Sequence, residues 1–160
     1  MFKPQTILHP TDYSENSNYA FKVALSLAQQ YGALLYVAHV VESMGPEFVT
    51  VGEATKQRQP EGHLHRLWNE LRQINAPPDS SVVVQHILGE GDPATEVAEI
   101  ARKYRCDLIV ISTHGRTGLQ RLLMGSIAEK IVRLAPCTIL TIKRPPTSQR
   151  TPNLSPVSAP

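Results

Sequence analysis

Leu108-Ile109-Val110-Ile111-Ser112-Thr113-His114-Gly115-Arg116-Thr117-Gly118 carries an apolar run into a loop of small residues and glycines. Gly125-Ser126 then opens a helical pattern that lasts to Leu134, and Pro136 stops it. A further apolar run begins at Thr138 and ends at Lys143. Strand, glycine loop, helix and strand in this order make a crossover unit, which belongs to a parallel sheet. The run 108–111 has no polar alternation, as expected of a strand covered on both faces.

The same grammar extends toward the N-terminus. Thr6-Ile7-Leu8-His9 reads as a short buried strand that Pro10 ends. Ala20, Val23, Ala24, Leu27 and Ala28 recur at helical spacing, with Ser14 as N-cap and Gly32 as the C-terminal stop. Residues 33–41, with Val37, Val40 and Val41, form the next buried strand, and residues 43–59 a long polar loop. Residues 60–74 show a helical face of Leu64, Leu67, Trp68, Leu71 and Ile74, broken by Pro77-Pro78. Residues 81–88 read as a Val-rich strand. Asp92-Pro93 starts a helix whose stripe is Ala94, Val97, Ala98, Ala101 and Tyr104. The order β-α-β-α-β-α-β-α-β predicts an α/β fold, a five-stranded parallel sheet with helices on both faces, Rossmann-like in outline. Ligands of such sheets lie beyond the carboxyl ends of the strands. That directs attention to Asp12, to Val40 through Glu42, to Gly89 through Asp92 and to Ser112 through Gly118.

The chain has 160 residues, enough for one domain with a real core. Pro145, Pro146, Pro152, Pro156 and Pro160 follow the last apolar run, and Leu154 and Val157 are the only large aliphatics there. The expected division is a folded domain over 1–144 and a disordered tail over 145–160. Arg150 is the tail's single charge, so the domain holds all but one of the 16 basic residues against 14 acids. That balance argues against nucleic acid as a partner, since such proteins carry a strongly basic face. No apolar run approaches the roughly 20 residues of a membrane span, and residues 1–10 lack the pattern of a signal peptide. The expectation is a cytoplasmic protein without membrane attachment. Cys106 and Cys137 lack metal-ligand spacing and read as two buried or half-buried thiols.

The loop after residue 111 suits an anion. Glycine lets the backbone approach closely, and helix N-terminal amides point at a ligand. Ser126 adds a hydroxyl donor; the plain alternative is a turn with a capping serine. Asp12 fits either a ribose-binding carboxylate or an Asx-turn feeding the first helix. Gly89-Glu90-Gly91-Asp92-Pro93-Ala94 mimics a dinucleotide fingerprint, but Glu90 and Asp92 would repel a pyrophosphate and Asp107 precedes its strand. It reads as a tight turn with Asp92 as N-cap. No Gly-Lys pair exists for a P-loop, and Ile87, Leu88 and Gly89 stand where a phosphoacceptor domain needs its aspartate. His63 and His65, two apart on a helix, diverge, and no metal site is expected from them. His9, His39 and His86 read as structural.

Pro10-Thr11-Asp12-Tyr13-Ser14, with the late pattern of Gly115 and Gly118 followed by Leu122 through Glu129, resembles the universal stress protein (UspA-like) family. The resemblance covers residues 1 to about 144. It implies an adenine nucleotide alpha hydrolase-like fold, a homodimer through the last strand (Thr138 to Lys143), and ATP, AMP or ADP as ligand with Mg2+ or Mn2+ on the phosphates. By this resemblance Asp12 bonds the ribose, Val40 contacts adenine, Gly115, Gly125 and Ser126 hold the phosphates, and Ile127 is the next position of the phosphate turn. Pro10, Thr11, Ser112, Thr113, His114, Arg116 and Gly118 belong to the same nucleotide site. Ser112 stands where the family motif has its first glycine.

The implied function is a nucleotide-binding module in stress response or signalling, with a signalling partner the sequence does not identify. Two alternatives use the same fold: a dimeric interaction protein without ligand, and a slow ATP hydrolase. No dedicated base, nucleophile or loop lysine is present, so no catalytic residue is assigned. Residues 43–59, following the strand of Val40, are expected to act as a lid.

Overall fold

The computed structural model describes residues 2–42, 61–113 and 124–145. The polar loop 43–59, the glycine-loop residues 114–123 and the tail beyond Pro145 lie outside them. So do the positions expected for His114, Gly115, Arg116 and Gly118.

Among the described residues five strands alternate with four helices. They are β1 (Thr6–Pro10), α1 (Glu15–Tyr31), β2 (Leu34–Val41), α2 (Glu61–Gln73), β3 (Val84–Glu90), α3 (Pro93–Lys103), β4 (Leu108–Ser112), α4 (Ser126–Leu134) and β5 (Thr138–Ile142). All pairings are parallel, in the order β3-β2-β1-β4-β5. The chain winds outward from β1 to β3, returns, and winds the other way through β4 and β5. The reversal lies between β1 and β4.

Successive residues of the inner strands face opposite layers. Ile7, Leu35, Val37, Leu108 and Val110 pack with Ala24 and Ala28 of α1 and Leu71 of α2. Leu8, Tyr36, Ala38, Ile109 and Ile111 pack with α3 and with Ile131 of α4. The α1 stripe is made of alanines, Ala20, Ala24 and Ala28, all with no exposed surface, so that helix lies close on the sheet. Helices therefore cover both faces, as the unbroken apolar strands require.

Helix ends follow the sequence signals. The Ser14 side chain accepts from Ser17 N–H, and Gly32 at φ 66° closes α1 with its N–H on Ala28 O. Asp92 caps α3, accepting from Thr95 N–H and Oγ1 at 2.9 and 2.7 Å. Those bonds and Lys130 at 2.9 Å hold its carboxyl down at about 2. No helix among the described residues is long and apolar enough to cross a membrane.

One strand is displaced from its expected position. Residues 81–88 were expected as β3; the strand runs from Val84 to Glu90. Its neighbour sets the limits. Leu35, near the start of β2, pairs with Val84, and Val41 at the end pairs with Glu90. Gly89 therefore sits inside the ladder opposite Val40, and the tight turn waits for Gly91. Gly91 has φ 140°, and a Cβ there would lie 3.2 Å from Glu96. Glycine is required at that one position of the false fingerprint.

Asp107 also has a purely structural role. Its Oδ2 accepts from Gln5 N–H at 2.8 Å and Thr6 N–H at 2.9 Å, while its own N–H donates to Thr6 O. The carboxylate ties the start of β1 to the start of β4. Asp107→Ala is expected to lower unfolding free energy by about 2 kcal/mol, because two backbone donors lose their acceptor. Urea denaturation at pH 7 measures this; an unchanged midpoint would remove the role.

Candidate functional site

The β1–β4 ladder pairs Ile7 with Leu108 and Leu8 with Ile109. At the next step a side chain takes over: His9 Nδ1 lies 2.9 Å from Val110 O. β1 meanwhile stays with β2 as far as Pro10 and Ala38, and Thr11 N–H donates to Ala38 O at 2.8 Å. The sheet thus opens between β1 and β4 at its carboxyl end. A cavity of about 540 Å³ lies there. A smaller hollow of about 260 Å³, between Ala28, Gly32 and Val83 at the opposite end, has no titratable lining residue.

His9 is completely buried, and burial pulls its imidazole down to about 4. The ring is therefore neutral at pH 7, with one proton. Val110 O can only accept, so the proton is on Nδ1 and Nε2 accepts. The group beside Nε2 is the Ser17 hydroxyl, at 3.3 Å. Ser17 Oγ is also 3.0 Å from Thr11 Oγ1, which accepts from Tyr13 N–H at 3.1 Å. One buried polar chain thereby joins β4, β1 and α1 under the cavity floor.

Pro10, Thr11 and Asp12 form the middle of the cavity wall. Asp12 Oδ1 accepts from Ser14 N–H at 3.0 Å, the expected Asx-turn, and the residue also lines the cavity. The Asx-turn reading of Asp12 is therefore met, and the turn leaves the residue on the cavity wall. Val40 forms the β2 end. Ser112, Gly125, Ser126 and Ile127 form the β4 end, where α4 begins. Thr113 supports that end: its O accepts from Gly125 N–H at 2.7 Å and its N–H donates to Ile142 O. All the expected site residues within the described segments therefore fall around one opening.

The two helices that start here differ. The α3 terminus is filled by its own capping carboxylate and Pro93. At α4 the N-cap is Gly125, which offers no side chain, so the amides of the first turn are left to other acceptors. Gly125 has φ −69°, an angle any residue adopts, and among the described residues an added Cβ would meet only Thr113 O, at 3.5 Å. Its lack of a side chain keeps space open at the helix start and serves no backbone need.

Sequence reading passed over part of the wall. Ser17, His39, His63 and Leu67 also line the cavity. His39 donates through Nδ1 to Thr11 O at 2.8 Å, and its ring packs on Tyr13 at 4.4 Å. His63 continues the α2 face of Leu67 and Leu71 by one more step of four, a spacing visible in the sequence. His86 bonds Ile74 O through Nε2 and is structural, as expected. Among the described residues no cluster of three His, Cys, Asp or Glu side chains could hold a metal. Cys106 is buried and its thiol pushed up to about 12; Cys137 is half-buried and raised by the same desolvation.

The universal stress protein family model matches residues 3–143. The chain belongs to the universal stress protein family. It is 34% identical over 140 residues to universal stress protein MJ0531 of Methanocaldococcus jannaschii, covering 87% of this chain and 82% of that one. A universal stress protein solved in complex with cAMP is similar in fold, with TM-score 0.66, 20% identity, and coverage of 89% and 98% of the two chains. The Archaeoglobus fulgidus universal stress protein solved in complex with dAMP has TM-score 0.57, 19% identity and coverage of 89% and 98%. The parallel α/β architecture read from the sequence is thus that of the family.

The buried imidazole makes stability depend on pH. Folded His9 stays neutral down to about pH 4, whereas an unfolded histidine takes its proton near 6.5. Between these values the unfolded chain binds more protons, so stability is complete above about pH 6.5 and is lost as pH falls. The loss attributable to His9 is about 2 kcal/mol between pH 7.5 and 5. Urea unfolding of wild type and His9→Gln at both pH values should show the wild type losing that much more; parallel losses would refute the assignment.

Proposed function

We propose that this universal stress protein binds an adenine nucleotide in the cavity at the β1–β4 opening, as a dimeric module of stress response or signalling in the cytoplasm. The observation that carries the reading is the α4 start: uncapped amides and the Ser126 hydroxyl at one end of a 540 Å³ cavity, with Asp12 at its middle. Phosphate goes to α4, ribose to Asp12 and adenine to Val40. The spacing supports this order, since β2, β1 and β4 lie side by side about 4.8 Å apart. Family members of the same fold hold cAMP and dAMP, both adenine nucleotides. ATP, AMP and ADP are the ligands to test, with Mg2+ or Mn2+ as the cation of a polyphosphate. His114, Gly115, Arg116 and Gly118 belong to the proposed phosphate turn, and residues 43–59 to a lid over the base. Ser112 is small enough to line the wall in place of the family glycine.

A second copy is proposed to pair along β5. Among the described residues that strand has β4 on one side only, and Leu140 at 36% exposure is among the exposed large apolar residues. Residues 145–160 are proposed as a tail outside this assembly, in keeping with a family match that ends at 143.

Gly125→Asp separates binding from folding. Aspartate is a favoured N-cap, so the variant should be at least as stable as the wild type. Its carboxylate would stand where the phosphate goes and should lower AMP and ATP affinity about 100-fold or more. Calorimetric titration with both nucleotides, beside a thermal melt, measures this. Wild type that binds neither nucleotide overturns the reading; an unaffected variant displaces the site. For the dimer, sedimentation of Leu140→Lys should show monomer where the wild type shows dimer, and a monomeric wild type would dismiss the β5 pairing.

A further inference from the structure

The α2 face changes character where it leaves the core. Leu71 has no exposed surface and packs in the layer beneath α1. Four residues earlier Leu67 lines the cavity, and four earlier again His63 does so. One stripe of one helix therefore runs from core to cavity, and its last member is an imidazole. Both adjoining residues, Gly62 and Leu64, are exposed, while His63 is half-buried. No hydrogen bond or ion pair to the described residues accounts for its being histidine. The stripe would be as well completed by another leucine.

α2 is fixed relative to the ligand-facing end of β1. Tyr13, next to Asp12, adopts φ 62°, an angle uncommon for a residue with a side chain. That backbone sends its phenol across to α2, where the hydroxyl donates to Leu67 O at 3.3 Å. On the way its ring packs on His39. The same link therefore holds the β1 terminus, the β2 terminus and the α2 wall at a set distance, and His63 lies one helical turn from the anchored residue.

We propose that His63 is a base-contacting residue, its ring packing on the planar base of a bound nucleotide at the β2 end of the cavity. This rests on the nucleotide reading above, which places the base beside Val40. His63 lines the same cavity as Val40, Val41 and Leu67, and a flat aromatic ring beside aliphatic side chains suits a planar heterocycle without depending on a charge. α2 thereby completes the site from the layer opposite α4: phosphate is held by a helix of one layer and the base by a helix of the other.

The full chain, wild type and with His63→Ala, His63→Phe or Ser126→Ala, is titrated with AMP and with ribose 5-phosphate, which lacks the base. His63→Ala should weaken AMP binding roughly three- to tenfold and leave ribose 5-phosphate unchanged. His63→Phe, which keeps an aromatic ring, should restore AMP affinity to within twofold of wild type. Ser126→Ala should weaken both ligands. In the wild type, the imidazole proton signals of His63, assigned by their loss in His63→Ala, should shift with AMP and stay still with ribose 5-phosphate. If wild type binds AMP while His63→Ala matches it and those signals do not move, the inference is overturned and the nucleotide reading stands. If wild type binds no AMP, the nucleotide reading fails first and this inference falls with it.

Discussion

A single buried contact, His9 Nδ1 to Val110 O, marks the place where the sheet stops being a sheet. Below it the β1 and β4 backbones pair; above it they part. A backbone carbonyl left without a partner in that position would cost about 1–3 kcal/mol. The imidazole meets the need without requiring the strands to stay together. Because the ring's other nitrogen reaches Ser17 and through it Thr11, the same residue fixes α1 to the opening. The cavity floor is thus built from a completed polar chain, and no buried side-chain polar atom among the described residues lacks a partner. The site is open because the network beneath it is closed.

The division of labour among helices follows from the winding. In a sheet of order β3-β2-β1-β4-β5, α1 and α2 fall on one face and α3 and α4 on the other. All four helices have a cavity-lining residue in their first turn: Ser17 in α1, His63 in α2, Pro93 in α3 and Ser126 in α4. Ser14 caps α1 and Asp92 caps α3, so their amides are already used. Only α4 begins with glycine. A near-neutral chain can hold phosphate under these conditions, because amides and a hydroxyl supply the attraction without net positive charge. The charge balance that argued against nucleic acid is compatible with a small anion.

Most of the fold was legible because its signals are local. Ser14, Gly32, Asp92 and Pro93 stand where caps and stops belong, and the unbroken runs of β1, β2 and β4 could only be strands covered on both sides. The β3 boundaries were not local: residues 81–83 have strand composition, but β2 gives them one backbone bond, Leu35 N–H to Val83 O, and its register begins at Val84, while Gly89 and Glu90 are paired. Pairing overrode propensity there. The candidate site was legible wherever it lay at or just beyond the carboxyl end of a strand, as with Asp12, Val40 and Ser112. It was obscured where a residue reached it from another element. His39 looked like strand interior, and its ring does bond Thr11 O, yet it also faces the cavity. His63 was judged by its spacing to His65, when the informative spacing was to Leu67 and Leu71.

Tyr13 shows in physical terms why the contribution of α2 to the cavity wall was hard to read. Motif reading treats the residue between Asp12 and Ser14 as a free position, and its composition carries no signal for positive φ. Yet φ 62° is what aims the phenol at Leu67 O, 54 residues away along the chain. A residue in that conformation is maintained only where its surroundings favour it, here through the Thr11 hydroxyl on its N–H, the His39 ring and the Leu67 carbonyl. The unfavourable backbone angle and the distant hydrogen bond therefore belong to one device. It holds the wall made by α2 against the turn that presents Asp12, and it makes the width of the cavity a property of the folded core.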